Sequence, residues 1–255
     1  MFSKPCHVCG ETLEAEDLEA FGYAGLAHVR AEHPEEVPYP DLAVRNYFEG
    51  LARMTGGSER LDELGGVEIH PVTEDRLDDW LAFFDFDGNV GLPENSACYC
   101  LEPHEWDPHQ PPPELHHWRE RREEMIGLFR AGHAFGYLAY VDGRPAGWVN
   151  AARRGDTALF RRGDPADGRT AAVACFVIAP PYRRHGLARQ LLDRVLADAP
   201  GRGLDAVEAY PPNFDAPGER NFRGRRAMYD EAGFTEVKVR SRDVVMRREA
   251  GPVGE

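Results

Sequence analysis

No stretch of this chain approaches the ~20 consecutive apolar residues of a membrane-spanning helix. The opening Met1-Phe2-Ser3-Lys4 does not start a secretory signal, so a soluble, cytoplasmic protein is expected. Internal repeats and low-complexity tracts are absent, which excludes repeat architectures and linker-dominated chains. Positive charge is in deficit: the formal net charge is −14 at pH 7. An acidic field of that kind opposes long-range attraction to nucleic acid and favours a cationic amine. Cysteines number five, and two stand as Cys6-x-x-Cys9. That spacing points to reduced thiols and a metal rather than to a disulfide scaffold. At 255 residues the chain has room for one substantial domain and a small one.

The two common phosphate loops are also missing from the stretch best suited to hold one. The apolar run Val173 to Ile178 stops at Pro180-Pro181 and gives way to Arg183-Arg184-His185-Gly186-Leu187-Ala188. That loop has neither a Lys-Ser/Thr ending nor three spaced glycines. An amphipathic helix follows it. Strand, glycine loop and helix N-terminus together form an anion site, because unpaired N–H groups converge where the helix dipole favours negative charge. Gly186 and Ala188 are small enough for a phosphate to approach the backbone, and Arg183, Arg184 and Arg189 add fixed charge. A pyrophosphate-bearing cofactor is the expected ligand.

Arg183-x-x-Gly186-x-Ala188, placed after Pro180-Pro181-Tyr182, resembles the pyrophosphate loop of the GNAT superfamily of acyl-CoA-dependent N-acyltransferases. Downstream, Met228-Tyr229-Asp230-Glu231-Ala232-Gly233-Phe234 is similar to that family's Tyr-x-x-x-Gly-Phe. The resemblance covers about residues 67 to 249. It implies a mixed α/β fold (α+β), with a mostly antiparallel central sheet flanked by helices. It also implies acetyl-CoA as co-substrate. Arg183, Arg184, His185, Gly186, Leu187, Ala188 and Arg189 would then cradle the diphosphate. The backbone of Phe176, Val177 and Ile178 would run beside the pantetheine. Tyr229 would protonate the leaving thiolate; its alternative is a helix tyrosine packed under the sheet.

Patterning from Val67 onward fits that order. Val67 to Val72 alternates as a strand, and Thr73-Glu74-Asp75 caps a helix to about Phe84. Glu114 to Arg130 is predicted as a second helix. Gly136–Val141 and Pro145–Ala151 are predicted as a hairpin about Asp142-Gly143-Arg144. Arg153 to Arg169 is a polar insertion. Leu204–Tyr210 is predicted as a strand, Asn221–Ala232 as a helix, and Thr235–Arg240 with Asp243–Arg247 as a closing pair.

The general base is not obvious. Many relatives carry a glutamate on the cofactor strand, whereas Val173 to Ile178 has no carboxylate. Glu208, within an apolar strand, is the remaining candidate; it equally suits a solvent-facing or arginine-paired residue, and a water chain would also serve. Cys175 is expected to be an inert strand thiol. Cys98-Tyr99-Cys100 falls between the first two helices. It suits an acceptor pocket or packing better than a second metal site with His104 and His109. Asp85, Asp87 and Glu94 stand nearby as groups to neutralise a cationic acceptor.

Residues 1 to 40 have a different character. Cys6, Cys9, His28 and His33 supply the four N/S ligands that zinc prefers, and the segment resembles a two-Cys, two-His zinc finger. The Cys9-to-His28 span is longer than usual, which puts a standard ββα geometry in doubt. Eight carboxylates against Lys4 and Arg30 suit a structural or protein-contacting finger better than a DNA reader. Asp41 to Met54 has helical spacing, for packing on the next domain or for a homodimer contact. Residues 55 to 66 form the linker. The expected organisation is a zinc-binding module at 1–40, a helix and linker at 41–66, and an N-acetyltransferase domain at 67–250. A non-catalytic acyl-CoA-binding adaptor is the competing expectation, kept open by the missing strand carboxylate.

Overall fold

In a computed structural model of the chain, the described residues are 1–6, 9–33, 61–88, 98–107, 118–214 and 221–251. The helix expected at 41–54, the linker up to residue 60, and Glu94 and His109 lie outside them.

The N-terminal module begins with β1 (Phe2–Pro5) and β2 (Thr12–Ala15), an antiparallel ribbon in register from Phe2↔Ala15 to Pro5↔Thr12. Helix α1 (Leu18–Glu32) follows, its first turn capped by Asp17, which accepts from the Ala20 N–H at 2.8 Å. Phe21 and Val29 are two turns apart on one helical face, and both are fully buried. The order is therefore ββα, so the long Cys9-to-His28 span did not prevent the usual arrangement.

The larger part opens with β3 (Val67–Pro71). Helix α2 (Leu77–Ala82) runs on into a wider π-type turn at Phe83–Asp87; short α3 (Glu102–Glu105) and longer α4 (Trp118–Arg130) follow. Strands β4 (Gly136–Val141) and β5 (Arg144–Asn150) form the expected hairpin. Its two-residue turn holds Asp142 at φ +50° and Gly143 at φ +77°, the left-handed pair that matches strand twist. The Asp142 carboxylate also accepts from the Gly66 N–H at 2.9 Å, which ties residues before β3 to the hairpin.

Residues 170–178 make nearly one strand with a break at Ala174. Its first half, β6 (Thr170–Val173), pairs in parallel with β8 (Ala206–Ala209), while its second half, β7 (Cys175–Ile178), pairs antiparallel with β5. With β9 (Thr235–Val239) and β10 (Val244–Glu249), two four-stranded sheets result, ordered β3-β4-β5-β7 and β6-β8-β10-β9. One strand thus crosses between sheets, and the sheets part where β7 leaves β8. This is the mixed, mostly antiparallel α/β fold expected.

Helix α5 (Leu187–Asp198) packs on β4, β5 and β7. Leu187, Leu191, Leu192 and Val195 form its buried stripe at helical spacing. Helix α6 (Arg226–Glu231) is shorter than predicted, because residues 221–225 are spent on a turn before it. Gly233 at φ +78° ends it ahead of β9 (Thr235–Val239) and β10 (Val244–Glu249). On the other face of the first sheet, Trp80, Phe84, Tyr99 and Trp148 form an aromatic core, with Trp80 and Trp148 edge to face at 5.8 Å. Among the described residues no helix is long and apolar enough to cross a membrane.

Candidate active site and metal centre

The glycine loop takes the predicted shape. Gly186 is the N-cap of α5 at φ +77°, with no side chain capping the helix, and a Cβ built on it would meet nothing within 4 Å. Its requirement for glycine is thus conformational, and the space in front of it is open. Arg184 also adopts a left-handed φ of +67°. The His185 Nε2 is buried with no hydrogen-bond partner among the described residues. The first-turn amides of α5, at Leu187, Ala188 and Arg189, face this opening by helix geometry. The arginines divide. Arg183 turns back, its Nε donating to the Ile178 carbonyl at 2.8 Å, and Arg189 pairs with Asp193 at 2.8 Å. Arg184 is exposed.

Strand β7 presents alternate backbone groups. The Ala179 N–H bonds to Ala146 on β5, so the intervening groups of Phe176 and Ile178 point the other way, toward the parting of the sheets. There the Phe176 N–H meets the Phe222 carbonyl at 2.5 Å. The turn at 221–224 thus lies against the strand expected to border the pantetheine.

Tyr229 is fully buried on α6, and its hydroxyl donates to the Arg223 carbonyl at 2.6 Å. Burial, followed by the neighbouring Cys175, pushes the phenol far above its ordinary range, so it holds its proton at any working pH. Gly224, at φ +77°, fits beneath it: a Cβ there would stand 2.9 Å from the Tyr229 hydroxyl.

Glu208 is in a different position from a free base. It is 1% exposed, and its oxygens accept from Arg154 at 3.0 Å, Arg162 at 2.9 Å, Arg247 at 3.3 Å and the Tyr210 hydroxyl at 2.9 Å. Its strand neighbours Val207 and Ala209 share the core containing Tyr229, so alternation turns Glu208 to the opposite face. A base needs an uncommitted lone pair. Here four donors hold both oxygens, and the arginine-paired alternative fits the geometry.

Cys98, Tyr99 and Cys100 form a turn whose last two residues have φ +45° and +55°. Arg121 of α4 reaches the Cys98 carbonyl at 3.4 Å and Glu105 at 3.2 Å. Cys100 is buried against Asn150, whose amide lies 3.5 Å from its sulfur. Asn150 also reaches His104 Nε2 at 3.1 Å, while His104 Nδ1 meets the Asp156 carbonyl at 2.9 Å. Burial lowers the His104 pKa against the opposing pull of Asp156, so the ring is neutral with Nδ1 protonated. Asn150 was missed from the sequence; its signal was an amide closing an otherwise apolar strand. Asp85 and Asp87 are taken up by Tyr99 at 2.6 Å and Arg144 at 3.1 Å, so neither stands as a free acceptor anion.

In the N-terminal module, ligand atoms of Cys6, Cys9, His28 and His33 all lie within 4.8 Å of one another. The Cys9 sulfur stands 3.3 Å from His28 Nε2, and His33 Nε2 is buried without a hydrogen-bond partner among the described residues. Two thiols and two imidazoles converging around an orphaned ring nitrogen fit a tetrahedral zinc site.

Residues 97–234 match the sequence model of the Acetyltransferase (GNAT) family. The chain belongs to that family. A search of curated proteins gives no match. Solved structures with a related course of chain include the GNAT domain of S. lividans PAT, at 19% identity and TM-score 0.46, covering 72% of this chain and 91% of that one. The ribosomal-protein-S18-alanine N-acetyltransferase from Escherichia coli gives 16% and 0.43, covering 74% and 97%. The PaiA N-acetyltransferase from Thermoplasma acidophilum in complex with coenzyme A gives 13% and 0.43, covering 72% and 99%.

Proposed function

We propose that this chain is an N-acetyltransferase that moves the acetyl group of acetyl-CoA directly to a primary amine, with an N-terminal module built around zinc. The observation that carries this reading is the open, uncapped N-terminus of α5 at Gly186, reached by a short connection from β7, the strand segment at which the two sheets part. A diphosphate fits that opening: the first-turn amides would bind it, and the orphaned His185 nitrogen and exposed Arg184 border it. The outward-facing groups of Phe176 and Ile178 would line the pantetheine, with Phe222 released from the Phe176 amide. Bound acetyl-CoA supplies an activated thioester.

The protein's own part is positioning and proton handling. Tyr229, held protonated by burial, is the donor for the departing thiolate, and the Arg223 carbonyl keeps its hydroxyl in place until then. With Glu208 enclosed by arginines, a water path is the remaining route for the ammonium proton. The acidic surface suits a cationic amine, and free cysteines agree with a cytoplasmic setting. Domain limits of 1–40, 41–66 and 67–250 accompany this reading, with the acidic finger available to a protein partner rather than to nucleic acid. The segment at 41–54 remains the candidate for a homodimer contact.

The committed state of Glu208 and the lack of a carboxylate on β7 favour one competitor, a non-catalytic acyl-CoA-binding adaptor. Free-thiol release from acetyl-CoA across a panel of amines separates the two. Acceptor-dependent turnover supports the enzyme; tight cofactor binding with no turnover on any amine supports the adaptor.

A further inference from the structure

Two groups that acetyl transfer needs are held by one turn. The Phe176 amide, which faces the parting of the sheets, donates to the Phe222 carbonyl at 2.5 Å. The Tyr229 hydroxyl donates to the very next carbonyl, that of Arg223, at 2.6 Å. An amide has one N–H and a phenol one O–H, so a donor committed to the turn has nothing left for a ligand. With the turn in this position, neither the pantetheine nor the thioester sulfur has its partner.

The turn is built as a unit of its own. The Gly224 N–H closes it on the Asn221 carbonyl at 3.4 Å, and the chain leaves it through Gly224 at φ +77°, before α6 begins at Arg226. Apart from the two bonds above, side chains hold it in place. The Phe222 ring packs against the aromatic core, while Arg223 pairs with Asp243 at 3.2 Å and stands 5.4 Å over the Phe160 ring. The Asn221 Oδ1 is buried with no hydrogen-bond partner among the described residues, a cost that belongs to the closed arrangement. Residues 221–224 are all partly exposed. Carbonyls turned outward there meet water, so opening leaves no backbone group buried and unpaired.

We infer that the 221–224 turn is a gate that holds the site closed until acetyl-CoA displaces it, freeing the Phe176 amide for the pantetheine and the Tyr229 hydroxyl for the departing sulfur in one movement. The gate rests on the acetyl-CoA reading and adds regulation to it. Cofactor binding and release of the acid become a single equilibrium, because consecutive carbonyls of one turn occupy both donors. The apparent affinity is then the intrinsic affinity reduced by the fraction of molecules whose turn is open. Loosening the turn tightens binding, the opposite of what loss of a packed side chain does to a rigid cofactor site.

The test uses full-length, zinc-loaded protein. Phe222→Ala removes the ring's hold on the aromatic core and leaves both carbonyls in place. Calorimetry is expected to show acetyl-CoA bound about threefold or more tightly than by the wild type. Equal or weaker affinity, in a variant confirmed folded by circular dichroism, overturns the gate. Limited trypsin digestion of the wild type reads the same movement without a substitution, and decides the matter should the variant fail to fold. Cleavage after Arg223, followed by mass spectrometry, is expected to quicken about threefold or more when acetyl-CoA is added without an amine, because the turn has given up two of its bonds. Cleavage that is unchanged or slowed with the cofactor bound overturns the gate and leaves the cofactor reading standing. Wild type that binds no acetyl-CoA in the calorimeter sinks the cofactor reading, and the gate falls with it.

Discussion

Arg154 and Glu208, one 1% exposed and the other equally buried, meet at 3.0 Å beneath the second sheet. Arg154 also holds Asp167 at 2.5 Å and Asp164 at 2.8 Å, so one guanidinium organises the polar insertion around the strand carboxylate. Breaking one member of such a set leaves buried charge without a partner, at a cost of about 3 to 5 kcal/mol. Glu208→Gln is therefore expected to lower thermal stability strongly while the folded fraction keeps its turnover per active site. A variant of unchanged stability with turnover lost would restore Glu208 as the base.

Tyr229→Phe removes one hydroxyl from a fully buried position. Turnover is expected to fall by about 10²- to 10⁴-fold, the usual worth of a positioned general acid. Acetyl-CoA affinity should not fall, and an acyl donor with a more acidic leaving thiol should recover much of the rate. Steady-state kinetics with two donors measures this; equal losses on both would remove Tyr229 from proton transfer.

Gly186→Val acts on the cradle. The left-handed φ costs a side chain about 1 to 2 kcal/mol, and the new methyls enter the open space before the α5 amides. Acetyl-CoA should bind at least tenfold more weakly. Gly201→Ala, at a glycine that also has nothing within 4 Å of its Cβ position, serves as the control and should bind normally.

The proposed zinc site is testable through its ligands. Structural zinc supplies about 10 to 16 kcal/mol of apparent binding energy in isolated fingers. Elemental analysis should find one zinc per chain in the wild type and loss of it in Cys9→Ser. Equal zinc in both proteins would refute the ligand set.

Stability should also respond to acid through His104. Its folded pKa lies below the ordinary histidine value, so the unfolded chain binds the proton more readily. The stabilisation is complete above the unfolded pKa of about 6.5 and is lost as pH falls toward the folded one. The melting temperature should drop between neutral pH and mild acid, and His104→Gln should flatten that slope. A slope unaltered by the substitution would assign the acid sensitivity elsewhere.

What the sequence by itself determined was local. The Asp142-Gly143 hairpin, the glycine-led start of α5 and the Gly233 stop each rest on backbone preferences confined to a few neighbouring residues, and the Cys6, Cys9, His28 and His33 cluster was legible from two short Cys and His pairs. The family followed from two such strings at the right distance. Tertiary structure alone decided which side chains meet across long separations. It enclosed Glu208 with arginines 54, 46 and 39 positions away, because side-chain direction on a strand depends on register and on which face the insertion covers. It also shortened α6, laid Phe222 against Phe176, and set Cys100 against Asn150, contacts that leave no periodicity in the chain because packing, unlike capping or turn formation, has no fixed spacing.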